Sequence, residues 1–205
     1  MKKILAIVAV AGLASAAQAQ VWNELGDAGE SLATANVTSG VGLLTQITGT
    51  FDVNDTDMFQ IYIANPATFL ATTVGGTSDD TQLFLFDING FGVAHNDDSP
   101  SDSTLQSRLT GLFVPAPGLY YLAVTKYNRD PSSAGGLIWA NSPFGTERAP
   151  DGPGAAGALA SWAGATSAST ASYSIFLEGV EFAIPAPGSI ALLGLGGLLV
   201  GRRRR

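Results

Sequence analysis

Between Gln20 and Phe182 the apolar side chains recur at every second residue, and no segment sustains the spacing of an amphipathic helix. A period of two puts alternate side chains on opposite faces of a pleated strand, so this chain has to bury its apolar surface by stacking sheets. "DMFQIYIA" sets Phe59, Ile61 and Ile63 on one face, with Gln60 and Tyr62 opposite. "PGLYYLAVTKY" does the same with Tyr120, Leu122 and Val124, and "ASYSIFLEGVEF" with Tyr173, Ile175 and Leu177. "QLFLFD" is apolar on both faces, as a central strand covered on both sides would be. "LLTQITGTF", "FLATTV", "GVAHN", "SRLTGLFV" and "GLIWA" are further strand candidates, and turns are marked by Asn65-Pro66, Asn89-Gly90 and Pro115 to Gly118. The pattern predicts an all-β body over 20–183, a single jelly-roll-type β-sandwich.

One stretch departs from the alternation. Residues 145–172, "GTERAPDGPGAAGALASWAGATSASTAS", are rich in Gly, Ala and Ser and read as a long surface loop leading to the last strand, pinned to the sandwich by Trp162. The alternative is a linker with the final strand as an appendage.

The ends differ from the body in charge. Lys2, Lys3 and Arg202 to Arg205 account for six of the ten basic residues, leaving Arg108, Lys126, Arg129 and Arg148 against all 17 acidic ones. So acidic a surface repels phosphate backbones, which excludes nucleic acid as a partner, and it attracts divalent cations. The chain has no cysteine, so thiolate metal centres and disulfide staples are excluded and the fold must rest on its core.

"MKKILAIVAVAGLASAAQAQ" has a basic start, an apolar run and Ala17-Gln18-Ala19 before a cut, the layout of a cleaved secretory signal over 1–19. At the other end, Gly188 to Gly201 is uncharged over 14 residues, or about 21 Å as a helix against a hydrocarbon core of about 30 Å. Its glycines are better tolerated in lipid than in water, and the four arginines would hold the cytoplasmic side. The expectation is a short C-terminal transmembrane helix with the body outside. Pro185-Ala186-Pro187, the apolar run and Arg202, Arg203, Arg204 and Arg205 together resemble the PEP-CTERM sorting signal, over 184–205. The resemblance implies signal peptidase and an exosortase-like membrane enzyme as partners, and delivery to the cell surface or extracellular matrix. Ala186 stands where that motif has Glu, leaving two fates, cleavage near the motif or a retained membrane tether.

The body resembles the bacterial pre-peptidase C-terminal domain. "GDAGES", "DVNDTDMFQIYI", "LFLFDINGFGVAHNDD" and "PGLYYLAV" carry the resemblance in that order, and "YSIFLEGV" closes it. It implies a secreted β-sandwich, usually accessory to another domain, with members that bind calcium or polymers such as collagen and polysaccharide.

Aspartates supply the one candidate site. Asp52 to Asp57, Asp79-Asp80, Asp87 and Asn96-Asp97-Asp98 are acidic clusters, and calcium takes six to eight oxygen ligands. Neither the loop from Asp52 nor that from Asp87 fits an EF-hand, since Asp57 takes the glycine position of the first and Phe91 a ligand position of the second. Turn preference accounts for these residues first. The alternative is a sandwich-loop calcium site of Asp79, Asp87, Asn96, Asp97 and Asp98, brought together by the hairpin "DINGFGVAHNDD". Calcium is the only cofactor these residues suggest. His95, the sole histidine, reads as a turn-flanking surface residue, and with neither a cysteine nor a nucleophile elbow no enzyme is expected. Of the aromatic residues Trp22, Tyr120, Tyr121, Tyr127, Trp139 and Trp162, most should fill the core, and Trp139 is the one to expect on a sugar-stacking surface. Two functions follow as expectations. One is a non-enzymatic exported surface or matrix protein; the other is a calcium-assisted module binding glycan, such as extracellular polysaccharide, or protein.

Overall fold

The computed structural model describes residues 20–99, 101–166 and 169–185. In chain order the strands are β1 (Gln20–Asn23), β2 (Asn36–Val37), β3 (Ser39–Gly40), β4 (Leu44–Phe51), β5 (Thr56–Ile63), β6 (Leu70–Thr72), β7 (Thr81–Asp87) and β8 (Gly92–Asn96). They continue as β9 (Arg108–Thr110), β10 (Gly118–Lys126), β11 (Arg129–Ser133), β12 (Gly136–Leu137), β13 (Ser161–Gly164), β14 (Ala171–Glu178), β15 (Val180–Phe182) and β16 (Ile184–Pro185). Two sheets carry the fold, in the orders β1-β4-β14-β6-β9 and β15-β5-β10-β7-β8, with β2 beside β5 on the edge of the second. All neighbours in them are antiparallel except β1 with β4 and β2 with β5.

The alternation in the sequence becomes the core. Phe59, Ile61, Ile63, Leu83, Leu85, Leu122 and Val124 of the second sheet meet Ile47, Phe51, Ala71, Tyr173, Ile175 and Leu177 of the first. Each of the Val, Leu, Ile and Phe side chains among them, fully buried, contributes about 1.5–3 kcal/mol. The opposite face of the second sheet is buried as well. Met58, Phe84, Phe86, Tyr121 and Ala123 lie there under Ile138 and Trp139, with Leu159 and Trp162 at the margin. A sheet covered on both faces is why "QLFLFD" carries no polar side.

The second cover is a small sheet, β12-β11-β13. Its strand β13 lies inside the Gly/Ala/Ser-rich stretch and pairs Ser161 to Gly164 with Ser132 to Arg129. Trp162 sits edge-on to Phe84 at 5.5 Å and to Phe86 at 6.3 Å, and its indole N–H donates to the Glu30 carbonyl at 2.7 Å. No alternation marks this strand, because the large residues of its contact come from β7 rather than from itself. Trp139 is only 3 % exposed, against the expectation of a surface aromatic. It packs on Phe84 and Phe86, and its N–H donates to the Arg148 carbonyl at 3.3 Å.

The described fold closes with β16, whose Ile184 and Pro185 run parallel to Ser39 and Gly40. Pro185 is thus the last residue of a strand. Ala17 and Ala19 of the expected signal, and Ala186, Pro187 and Arg202 to Arg205 of the expected sorting tail, lie outside the described residues. Among the described residues no helix is long and apolar enough to cross a membrane.

Candidate functional site

Two carboxylate clusters form where β5, β7 and β10 share one end of the second sheet. Thr125 of β10 pairs with Thr56 of β5 on one side and Gln82 of β7 on the other, so the starts of β5 and β7 lie two strand spacings apart, roughly 10 Å. Asp57 continues the inward series of Phe59, Ile61 and Ile63 and faces the first sheet. The second cluster collects beyond the start of β7 and the end of β8.

The first cluster is Glu24, Asp27 and Asp57, one carboxylate oxygen of each lying within 4.8 Å of the others. Its assembly follows from the parallel edge strand. β1 runs along β4, and Glu24 N–H donates to the Thr48 carbonyl at 2.8 Å, which carries Glu24 over Gly49. A Cβ at residue 49 would stand 2.3 Å from the Tyr173 hydroxyl and 2.7 Å from Glu24 Oε2, so glycine is what lets these groups converge. Gly26, at φ +69°, turns the chain between Glu24 and Asp27 in a conformation that side chains resist. Glu24 is held by Ala28 N–H at 2.9 Å on Oε1 and by Thr50 N–H at 3.0 Å on Oε2.

Asp57 is wholly buried. Its Oδ2 accepts the Tyr173 hydroxyl at 2.6 Å, while its Oδ1 has no hydrogen-bond partner. Burial pushes its carboxyl up to about 9, with Asp55 and Glu24 adding to the rise against the Tyr173 bond. A cavity of about 590 Å³ opens beside it, lined in part by Asn23, Glu24, Asp27, Asp52 and Asp55. Asp55 spends its own oxygens on the turn, accepting Asp52 N–H at 2.8 Å and Thr56 N–H at 2.9 Å.

The second cluster is Asp80, Asp97 and Asp98, again within 4.8 Å. Asp80 precedes β7 and Asp97 and Asp98 follow β8, so the hairpin brings its two open ends together. Asn96 braces this corner: its Oδ1 accepts Arg108 N–H at 2.8 Å and its Nδ2 donates to the Asp98 carbonyl at 2.9 Å. Asp97 is 2 % exposed, and Oδ1 of both Asp80 and Asp97 is buried without a partner. Burial first, then the charges of Asp80, Asp98 and Asp130, pushes Asp97 up to about 8 against the Arg148 charge, while burial together with Asp98 and Asp79 pushes Asp80 to about 6.

Of the residues singled out from the sequence, Asp97 and Asp98 lie in this cluster and Asn96 supports it. Asp79 neighbours it, lining a cavity of about 510 Å³ with Asp80, Lys126 and Tyr127. Asp87 sits at the opposite end of β7, roughly 23 Å away by strand rise. Its Oδ1 accepts Asn89 N–H at 2.8 Å and Phe91 N–H at 2.9 Å, the turn role that aspartate plays in hairpins. Glu24, Asp27, Asp57 and Asp80 were not in the sequence-based set. "GDAGES" and "DVNDTD" held Asp27 and Asp57 in view, Glu24 lies just before the first of them, and only the β1–β4 pairing joins the three.

His95 is a core residue, 4 % exposed, contrary to the surface position expected from its flanking turn. It stacks on Phe84 at 4.4 Å, and its Nδ1 pairs with the Leu83 carbonyl at 3.1 Å. Burial drives it down to about 3. A neutral, enclosed imidazole facing aromatic rings is placed for packing and not for proton transfer in a cleft.

Both clusters offer oxygen donors alone. Ligands on opposite sides of a calcium ion, at 2.3–2.6 Å each, stand about 4.6–5.2 Å apart, which suits three oxygens spread over 4.8 Å. In the first cluster the orphaned Asp57 oxygen is the observation that makes the residues fit such an ion. No curated protein matches the chain. Residues 55–126, which run from the turn before β5 to the last residue of β10 and include Asp57, Asp80, Asp97 and Asp98, match the family model of the bacterial pre-peptidase C-terminal domain.

Proposed function

We propose that the protein is a non-enzymatic module of the cell surface or extracellular matrix, whose β-sandwich is completed by a calcium ion at Glu24, Asp27 and Asp57. The observation that carries the cation is Asp57: a wholly buried carboxylate with one oxygen satisfied by Tyr173 and the other turned without a partner among acidic neighbours. An uncompensated buried charge is costly, and a cation offsets that cost while binding β1 to β5 and β14. Glu24, Asp27 and Asp57 would hold the ion, which supplies positive charge and fixes the N-terminal strand; it has no chemical step to perform.

Export rests on the sequence. The signal-like start, the Pro-Ala-Pro motif and the terminal arginines support signal peptidase and an exosortase-like enzyme as processing partners, with the tail inserted in the membrane before or instead of cleavage. The acidic body suits a cation-rich exterior and a polysaccharide or protein neighbour more than a nucleic acid. The buried His95 supports a structural role for the only imidazole.

Thermal melting with calcium and with chelator tests the cation. Calcium should raise the midpoint, and the rise should be smaller in Glu24→Gln; a midpoint indifferent to both additions overturns the cation reading. Intact mass of the protein from cells and from medium tests export. Loss of residues 1–19 supports it, and an uncut chain among cytoplasmic proteins overturns it.

A further inference from the structure

We propose that Asp80, Asp97 and Asp98 form a second divalent-cation site, taking calcium, that clamps the start of β7 to the corner after β8 at the open end of their hairpin. It uses none of the Glu24 site's residues and stands or falls separately from it.

Three acids close together do not by themselves make a site. Asp97 is 2 % exposed and its Oδ1 has no partner, as has the buried Oδ1 of Asp80. Carboxylates that bring one oxygen each within 4.8 Å of one another, two of them with a desolvated oxygen left open, repel unless a positive charge or protons sit between them. The neighbouring basic groups make their hydrogen bonds elsewhere, although the Arg148 charge offsets part of the rise in Asp97 and its Nε is buried without a partner. Arg148 gives Nη1 to the Ser142 carbonyl at 3.1 Å and to Asp151 at 2.7 Å, and Nη2 to the Ala140 carbonyl at 2.6 Å. Lys126 Nζ donates to the carbonyl and hydroxyl of Ser169.

The surroundings say what the ion would join. Asp98 N–H donates to the Phe144 carbonyl at 3.3 Å, and Tyr127 N–H to the Asp80 carbonyl at 2.9 Å. Tyr127 and Phe144, both more than a third exposed, meet edge to face at 6.1 Å. Asp130 of β11, held by Gln82 Nε2 at 3.1 Å, adds negative charge from the covering sheet. An ion here therefore ties the start of β7 to the corner after β8, a corner that the covering segment reaches through the Phe144 carbonyl. Oxygen donors alone, with no nitrogen or sulfur, select a hard cation, and a loop-borne set without octahedral constraint favours calcium over magnesium.

Native mass spectrometry of the full chain in calcium counts the ions. Wild type should hold two, and Asp97→Asn and Asp98→Asn one each. Asp97→Asn should also melt at a higher temperature than wild type in chelator, since it removes a buried charge, so a failure to fold would not pass for a lost site. If Glu24→Gln alone keeps the wild-type count while Asp97→Asn loses an ion, this site stands and the Glu24 site falls. Asp97→Asn and Asp98→Asn variants that both bind as many ions as wild type, or a wild type that takes up magnesium as well as calcium, overturn the proposal.

Discussion

The hydroxyl of Tyr173 donates to Oδ2 of Asp57 at 2.6 Å, joining the two sheets across 116 residues of sequence. The ring beneath it packs at a tilt on Phe51, centroids 4.4 Å apart, so the hydroxyl is aimed by packing. Tyr173→Phe keeps that contact and strips Asp57 of its remaining partner. The expected cost is about 1–3 kcal/mol in denaturant unfolding with chelator, the penalty of a buried polar group left unsatisfied. An unchanged midpoint would mean that Asp57 is solvated.

Asp57→Asn should act in the opposite direction. The folded carboxyl of Asp57 lies near 9, above its unfolded value, so the wild-type fold binds the extra proton. A raised acid contributes stability at low pH and loses it as pH climbs from about 4 towards 9. Without calcium at pH 7, the neutral Asn should therefore be more stable than wild type by about 3–4 kcal/mol. Denaturant unfolding of both proteins between pH 5 and 8 checks it: the gap must widen with pH.

His95 sets the acid limit. Its folded value is lowered to about 3, against about 6.5 when unfolded, so the unfolded chain takes up the proton first. Its contribution is complete above pH 6.5 and drains away as pH falls towards 3, by about 4–5 kcal/mol in all. Unfolding free energies of wild type and His95→Gln, followed from pH 7 to 4, should converge as the wild type loses this share. Parallel profiles would place the imidazole in water.

Trp162 tests the second cover. Trp162→Ala removes the edge contacts to Phe84 and Phe86 and the bond to the Glu30 carbonyl. A loss of about 2–3 kcal/mol is expected for this half-buried ring. Hydrogen exchange should quicken at β11 and β13 while β5 and β10 stay protected.

Strand content was legible because Phe59–Ile63, Tyr120–Val124 and Tyr173–Leu177 alternate, and alternation is a local consequence of one buried face. Double burial of β7 could be read from "QLFLFD", but not the identity of its cover, since β13 is built of Ser, Trp, Ala and Gly and is specified by β11 and Phe84 instead. The second cluster was half legible: the hairpin reading returned Asp97 and Asp98 towards β7, and missed that they meet the residue before the strand, Asp80, while Asp87 caps the far turn. The first cluster depends on a parallel edge strand and on the absent side chain of Gly49, neither of which leaves a local mark. His95 and Trp139 each run into a polar turn stretch and so read as surface residues, yet both rings pack against Phe84.

The central claim is that the open oxygen of Asp57 belongs to a metal ion. Calorimetric titration of calcium into wild type and Asp57→Asn at neutral pH tests it most directly. Saturable binding in wild type, with one site fewer in the variant, is the result this account predicts. Equal stoichiometry and affinity in the two proteins would contradict it.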